Sequence, residues 1–140
     1  MKTIKNFLAA TITLSVMLFA MSCKKDSPAP AQTTQEKIQG KWGLTNFISN
    51  SYFSGMDHPY SYTGTSSDYY DFRADGKVYA YVMNMYDTTS YGIVDDTHIW
   101  VDATTDIYDI KTLNSTSMQL YNKTITGTGE YDEVTVNFHK

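Results

Sequence analysis

The stretch YDEVTVNFH (residues 131–139) alternates polar and apolar side chains one by one from Glu133 onward. Val134, Val136 and Phe138 therefore share one face of an extended chain, and the polar residues between them share the other. This period of two predicts a β-strand with one face in a protein core and the other in water.

The same period recurs toward the N-terminus as far as residue 40, in short runs that are separated by turn-forming residues. Tyr, Val, Ile, Thr and Phe dominate these runs, and all of them favour strands. Further pairs on one face are Ile99 with Val101, Tyr108 with Ile110, and Met118 with Leu120. The pattern predicts eight strands, at residues 40–49, 67–73, 77–85, 89–94, 97–102, 106–113, 116–123 and 131–139.

Every connection between these strands is short enough to join antiparallel neighbours. Eight such strands in a row most simply form an all-β, up-and-down antiparallel barrel, which leaves no free sheet edge. Two packed sheets are the alternative. Gly76 should take a positive φ in the turn after residue 73, residues 50–65 should form a long loop, and TTQEKIQG (residues 33–40) should form one helical turn.

The first thirty residues have the composition of an export signal. Lys2 and Lys5 precede a mostly apolar run of about fifteen residues, which is shorter than the roughly 20 that a spanning helix needs. Ala20-Met21-Ser22 then leads to Cys23, the single cysteine of the chain, and this resembles the lipoprotein box of bacteria. The resemblance implies that Cys23 is lipidated.

The segment after Cys23 has the composition of a tether. Residues 24–35 contain no aromatic residue and no aliphatic residue larger than Ala, so they cannot bury enough apolar surface to fold. The predicted organisation is a signal peptide (1–22), a flexible lipid-anchored linker (23–35) and one domain (36–140). Without residues 1–22, nine basic residues stand against 15 acidic ones, a net charge of about −6, which does not suit nucleic acid as a partner.

The start of the first strand carries a family resemblance. Gly40-Lys41-Trp42, within EKIQGKW, resembles the Gly-x-Trp that follows a helical turn and opens the first strand of lipocalins. YYDFRADGKVYAYV (69–82) and YDIKTLNSTSMQLYN (108–122) extend the resemblance to small lipocalin-like lipoproteins of the Bacteroidota. It implies an eight-stranded lipocalin-like barrel whose base Trp42 closes, usually with an Arg of the last strand stacked on the Trp; the single Arg here is Arg73.

Tyrosine is concentrated in one part of the chain, with nine of its 12 copies between residues 52 and 91. Tyr fills strands and barrel interiors, but its ring and hydroxyl also suit the mouth of a binding pocket. With the long loop 50–65 as a lid, the predicted ligand-binding residues are Tyr70, Phe72, Tyr81, Met83 and Tyr108.

Patterns of catalysis and metal binding are weak. Asp96 and His98 would share a strand face, but a metal site needs three or four converging ligands. Asp68 and Asp71 flank a turn and should be solvated, so they do not suggest a catalytic carboxylate pair. We therefore expect no enzyme, no metal and no cofactor.

Two functional hypotheses follow from the sequence. In the first, a monomeric lipoprotein of the cell envelope, anchored in the outer membrane and facing the periplasm or the cell surface, binds a small hydrophobic or aromatic molecule in the barrel. In the second, the barrel is filled and binds protein or glycan through exposed Tyr and Trp100. A cavity above about 300 Å³ would favour the first hypothesis, and a solid interior the second.

Overall fold

The computed structural model describes residues 31–140, so the predicted signal peptide, Cys23 and most of the predicted linker lie outside the described residues. Residues 31–140 form a closed antiparallel barrel of eight strands, one extra strand and one short helix. The elements are α1 (Thr34–Ile38), β1 (Gly40–Phe53), β2 (Met56–Thr63), β3 (Tyr69–Phe72), β4 (Lys77–Val82), β5 (Met85–Asp95), β6 (His98–Val101), β7 (Ile107–Leu113), β8 (Ser117–Gly127) and β9 (Glu130–His139). Within these residues, no helix has the length and apolarity that crossing a bilayer requires.

The barrel closes because its first strand pairs with its last. β1 pairs with β3 through residues 40–43 and with β9 from Gly43 to Tyr52, and each strand from β3 to β8 pairs with the next. The predicted all-β, eight-stranded, up-and-down barrel with a short N-terminal helical turn is thus confirmed. The strand faces are also as predicted: Val136 and Phe138 are buried, and Val134 packs against the core.

Residues 50–65 do not form the predicted loop. β1 continues to Phe53, and β2 returns along it, from Phe53 opposite Met56 to Asn46 opposite Thr63. Ser54 and Gly55, with φ of 54° and 76°, form the two-residue turn, a geometry that suits the twist of a hairpin. β2 is the extra strand. It lies beside β1 beyond the point where the pairing with β3 ends, so this hairpin extends one side of the barrel wall.

The fully buried core residues lie close to α1. Trp42, Ile38 and Val78 are fully buried, and they belong to the same apolar cluster as Phe72 and Ile99. The Trp42 Nε1–H donates a 2.6 Å hydrogen bond to the Ile38 carbonyl, which fixes α1 on the first strand. Lys140 Nζ lies 4.1 Å from the centre of the Trp42 ring, so a lysine stands where the resemblance would place an Arg.

Helix α1 begins within the segment that the sequence assigned to the linker. Thr33 is the N-cap: its hydroxyl accepts a hydrogen bond from the Glu36 amide, while the Glu36 carboxylate accepts one from the Thr33 amide. Thr34 is buried and bonds to Asp96 in the β5–β6 turn. The folded domain therefore includes Thr33 and Thr34, because the cap and this contact give both residues a structural role that composition does not show.

Candidate ligand cavity

The two ends of the barrel differ. Helix α1 covers one end, where Gln35 donates a hydrogen bond to the Tyr91 hydroxyl and Thr34 donates one to Asp96. The opposite end carries the β4–β5 turn, the β6–β7 connection, and the β1–β2 and β8–β9 hairpins. No helix of residues 31–140 lies at this second end, and we call it the open end.

Three adjoining cavities occupy the interior near the open end, and Tyr70 lines all of them. Each has a volume of about 200 Å³. The register of β3 with β4 places Tyr70 opposite Ala80 and Phe72 opposite Val78, so these four side chains face inward. One of the three, which we call the inner cavity, is lined by Phe47, Tyr70, Phe72, Asp87, Thr89, Val101, Asp102, Tyr108, Leu120, Val136 and Phe138. None of the three cavities alone reaches the roughly 300 Å³ that would favour the first hypothesis, and the interior is not solid as the second hypothesis requires.

Four of the five predicted ligand-binding residues line these cavities. Tyr70, Phe72 and Tyr108 line the inner cavity, and Met83, in the β4–β5 turn, lines the other two. Tyr81 does not line them, because it pairs with Tyr69 across the β3–β4 ladder and shares the outer face of the barrel with it. The sequence could not fix its side, since this strand is apolar on both faces.

Tyr81 belongs to a row of tyrosines on the outer face. Tyr69, Tyr81 and Tyr86 lie directly opposite one another on β3, β4 and β5, with neighbouring ring centres 6.2 Å and 4.6 Å apart. Lys41 Nζ lies 3.5 Å from the centre of the Tyr69 ring, at one end of the row. Tyr86, at the other end, is 81% exposed. We call Tyr69, Tyr81 and Tyr86 the tyrosine row.

Trp100 also lies on the outer face, but it is partly covered. It pairs with Gly92 of β5, and a Cβ atom at Gly92 would lie 2.5 Å from the Trp100 Nε1. The indole therefore lies across the glycine, and one of its faces is not available to a partner.

Asp68 connects three segments at the open end. One carboxylate oxygen accepts hydrogen bonds from the Tyr62 hydroxyl at 2.6 Å and from the Thr65 amide at 2.7 Å. The other oxygen accepts one from the Met83 amide at 3.1 Å. The bond from Tyr62, followed by that from the Thr65 backbone, lowers the pKa of Asp68 to about 2. The prediction that Asp68 is solvated is wrong, because this side chain is buried and satisfies polar groups of a loop and a turn.

The two tyrosine hydroxyls of the inner cavity stay protonated at neutral pH. Burial, followed by nearby negative groups that include Asp87, raises the pKa of Tyr70. Burial is the main cause that raises the pKa of Tyr108, and the nearby carboxylates of Asp106 and Asp102 raise it further. The inner cavity therefore offers aromatic walls, hydroxyls that donate and accept hydrogen bonds, and the carboxylates of Asp87 and Asp102.

Sequence reasoning did not find the three polar residues that line the inner cavity besides the tyrosines: Asp87, Thr89 and Asp102. The signal for the first two was present, because both lie at even spacing from the buried Tyr91 of β5. Asp102 gave no signal. It follows β6 with a φ of 74°, and its carboxylate accepts a 2.7 Å hydrogen bond from the Thr89 hydroxyl.

The imidazole of His98 lies between two carboxylates. His98 Nδ1 is 2.8 Å from Asp95, and Nε2 is 3.4 Å from Asp109. Asp96 instead accepts the hydrogen bond from Thr34. Across residues 31–140, no group of three or more His, Cys, Asp or Glu side chains is placed to hold a metal ion.

Two other concave regions lie outside the barrel interior. One, of about 220 Å³, is next to α1 and Lys140. The other, of about 400 Å³, includes Asn46 of β1, Gln119 of β8 and Asn137 of β9. Both are lined mainly by polar side chains. The Tyr70 cavities have the aromatic walls that are typical of small-molecule sites, and they are the candidate site.

No protein-family model and no curated protein matches this chain.

Proposed function

We propose that this chain is a lipid-anchored lipoprotein of the cell envelope whose lipocalin-like barrel binds a small hydrophobic or aromatic molecule at its open end. The observation that carries the binding proposal is the group of three cavities that meet at Tyr70, each of about 200 Å³. An apolar cavity of roughly 150 Å³ accommodates benzene, so each cavity suits one ring and the three adjoining cavities together suit a molecule of up to three rings.

The site of entry follows from the ends of the barrel. The α1 end contains the fully buried Trp42 and Ile38, which leave no passage there. At the open end, Met83 is 40% exposed and lines two of the cavities, and Tyr60, at 50% exposure, lines one of them from β2. A ligand would therefore enter between the β4–β5 turn and β2.

The binding proposal is tested with a neutral apolar fluorophore, N-phenyl-1-naphthylamine, whose emission rises when it leaves water. We expect saturable binding by the wild-type domain. Ala80→Phe places a ring in one of the three cavities, the one that Ala80 lines from β4 beside Tyr70, and it should weaken binding by at least about ten-fold. Thr88→Phe adds the same ring on the outer face of β5, opposite Tyr79, and should leave binding unchanged.

Both variants are checked by circular dichroism, since overpacking costs about 1–3 kcal/mol and could unfold the domain. If folded Ala80→Phe binds the fluorophore as well as wild type does, or if wild type shows no saturable binding, the cavities are not a binding site and the proposal fails.

The anchor proposal rests on Cys23 and the composition around it. One acyl chain holds a protein only marginally, and stable attachment takes two or more chains, which a lipoprotein cysteine carries. Labelling with an alkyne fatty acid in a bacterial host should mark wild type and should not mark Cys23→Ala. If wild type takes up no more label than Cys23→Ala, the anchor proposal is wrong.

The tyrosine row favours a second candidate function, the binding of a glycan on the outer face of β3, β4 and β5. Neighbouring aromatic rings offer apolar faces against which sugar rings can stack, and the hydroxyls supply hydrogen bonds. Retention on a panel of immobilised glycans should be lost in Tyr81→Ala and kept in Ala80→Phe. The opposite result, or no retention of wild type, removes this candidate.

A further inference from the structure

Every charged side chain that lines the Tyr70 cavities is a carboxylate. Asp87 lines two of the three cavities, and Asp102 lines the inner cavity. No Lys, Arg or His side chain of residues 31–140 lines any of the three. An anionic ligand would meet only like charge here, whereas a cation would meet two opposite charges.

The two carboxylates each keep one oxygen available. Asp87 Oδ1 accepts the Thr88 amide at 2.7 Å, and Asp102 Oδ1 accepts the Thr89 hydroxyl at 2.7 Å. The second oxygen of each carboxylate accepts no hydrogen bond from residues 31–140. These bonds hold the carboxylates beside the cavity, while the second oxygens remain free to accept a donor from a ligand.

The aromatic walls fit a cation as well. The rings of Tyr70, Phe47 and Tyr108 line the inner cavity, and a cation over an aromatic face is attracted by the negative face of the ring. Because the hydroxyls of Tyr70 and Tyr108 keep their protons, the rings stay neutral, and the negative charge of the site belongs to Asp87 and Asp102.

We infer that the inner cavity takes a small aromatic or apolar molecule that carries a protonated amine, with its ring against Tyr70 and Tyr108 and its ammonium group at Asp87 and Asp102. This inference rests on the proposed binding function and names the chemical class of the ligand. The net charge of about −6 after residue 22 would also favour the approach of a cation.

The test uses three probes of one shape that differ in charge: 1-naphthylmethylamine, 1-naphthalenemethanol and 1-naphthoate. Each probe displaces N-phenyl-1-naphthylamine from the wild-type domain at low and at physiological ionic strength. We expect the amine to bind about ten-fold more tightly than the alcohol at low ionic strength, with a smaller advantage when salt screens the charges, and the naphthoate to bind most weakly.

Two variants test whether Asp87 and Asp102 bind the ammonium group. Asp87→Asn and Asp102→Asn should each weaken binding of the amine by about five-fold and change binding of the alcohol by less than about two-fold. Asn tolerates the positive φ of residue 102, so Asp102→Asn should keep the fold. Asp71→Asn removes the same charge from the outer face of β3, where Asp71 pairs with Arg73, and it is the matched control.

The outcomes separate this inference from the proposed function. If the alcohol or the naphthoate binds as tightly as the amine, or if no naphthyl probe displaces the fluorophore, the amine inference is overturned although the cavities still bind. If Asp71→Asn weakens amine binding as much as Asp87→Asn does, net charge accounts for the preference, which also overturns it. If the fluorophore itself does not bind wild type, the proposed function fails, and the inference fails with it.

Discussion

Asp68 is one buried carboxylate that holds the rim of the open end together. It joins Tyr62 of β2, Thr65 of the β2–β3 connection and Met83 of the β4–β5 turn, which lie up to 21 positions apart in the chain. Tyr62 and Met83 line the same cavity. The shape of that cavity therefore depends on Asp68, although Asp68 itself does not line it.

Acid should weaken the domain partly through Asp68. Its pKa is about 2 in the folded protein and about 3.9 in an unfolded chain, so its stabilisation is present above about pH 4 and is lost as the pH falls toward 2. Asp68→Asn should lower the free energy of unfolding at pH 7. The difference in this free energy between wild type and Asp68→Asn should shrink between about pH 4 and pH 2. Urea denaturation at several pH values measures both.

Tyr62→Phe provides the comparison, because the Tyr62 hydroxyl is the largest cause of the lowered pKa of Asp68. The free energy of unfolding of Tyr62→Phe should therefore fall less than that of wild type between about pH 4 and pH 2. A difference between wild type and Asp68→Asn that stays constant from pH 7 to pH 2 would contradict the assigned role.

Met83 combines backbone strain with a place at the cavity. It has a φ of 54° in the two-residue turn between Val82 and Met85, a conformation that Asn and Gly adopt more easily. Met83→Asn should raise the free energy of unfolding by about 0.5–1 kcal/mol and weaken binding of the fluorophore, because the thioether leaves two cavities. Thermal denaturation and the fluorescence titration measure the two effects.

Asn84→Gly is the matched control in the same turn, since Asn84 also has a positive φ, of 64°, and lines none of the three cavities. It should keep wild-type binding. If Met83→Asn binds the fluorophore as wild type does, the Met83 side chain is not part of the site.

At the scale of elements, α1 and the β1–β2 hairpin lie at opposite ends of the barrel and affect access to its interior in opposite ways. Helix α1 has only five residues and could not persist alone, but its capping box and the bond from Trp42 fix it over one end of the barrel. The β1–β2 hairpin extends the wall at the other end and brings Tyr60 and Tyr62 to the cavity. Helix α1 therefore covers one end of the barrel, and the β1–β2 hairpin enlarges the entrance at the other end.

Loss of the α1 cap should reduce stability without changing the site. Thr33→Ala removes the hydroxyl that accepts the Glu36 amide, and it should lower the free energy of unfolding by about 1 kcal/mol. Binding of the fluorophore should stay as in wild type, because α1 lies at the end opposite the cavities. Thr33→Ser keeps the cap and should stay close to wild-type stability; equal losses in both variants would mean that the cap is not the cause.

At the scale of the whole molecule, the pairing of β1 with β9 makes a barrel out of a sheet. Leu44 and Phe138 are partners in this pairing although they are 94 positions apart. Phe138 also contacts the rings of Tyr70 and Phe72 at centre distances of 5.2 Å and 6.3 Å. The closing strand thus carries a side chain that belongs both to the core and to the wall of the inner cavity.

Truncation of Phe138 should therefore affect the entire domain. Phe138→Ala should lower the free energy of unfolding by about 3–5 kcal/mol, because it leaves a void between the first and the last strand. Ile125→Ala on neighbouring β8, where the side chain is 70% exposed, should change it by less than about 0.5 kcal/mol. Urea denaturation followed by far-UV and near-UV circular dichroism measures both variants; a loss in Phe138→Ala as small as that in Ile125→Ala would contradict this role.

Much of the candidate site was visible in the sequence, and its gaps have specific causes. Tyr70, Phe72, Met83 and Tyr108, which line the cavities, were among the residues named from the sequence. Tyr81 does not line them: its strand is apolar on both faces, and only the register with β3 decides which face is inside. The β1–β2 hairpin was missed because residues 49–63 are rich in Ser, Asn, Asp, Gly and Pro, which are typical of loops, and show no regular apolar period.

The sequence by itself determined the eight strands of the barrel, the apolar faces of the later ones, the α1 turn and the all-β class, because these depend on the spacing of neighbouring residues along the chain. The tertiary structure alone decided that Asp68 is buried, that Asp87 and Asp102 lie beside Tyr70 and Tyr108, and that the tyrosine row faces outward. The physical reason is that such relations depend on pairing register between distant segments, and a shift of one residue would move every side chain of a strand to the other face.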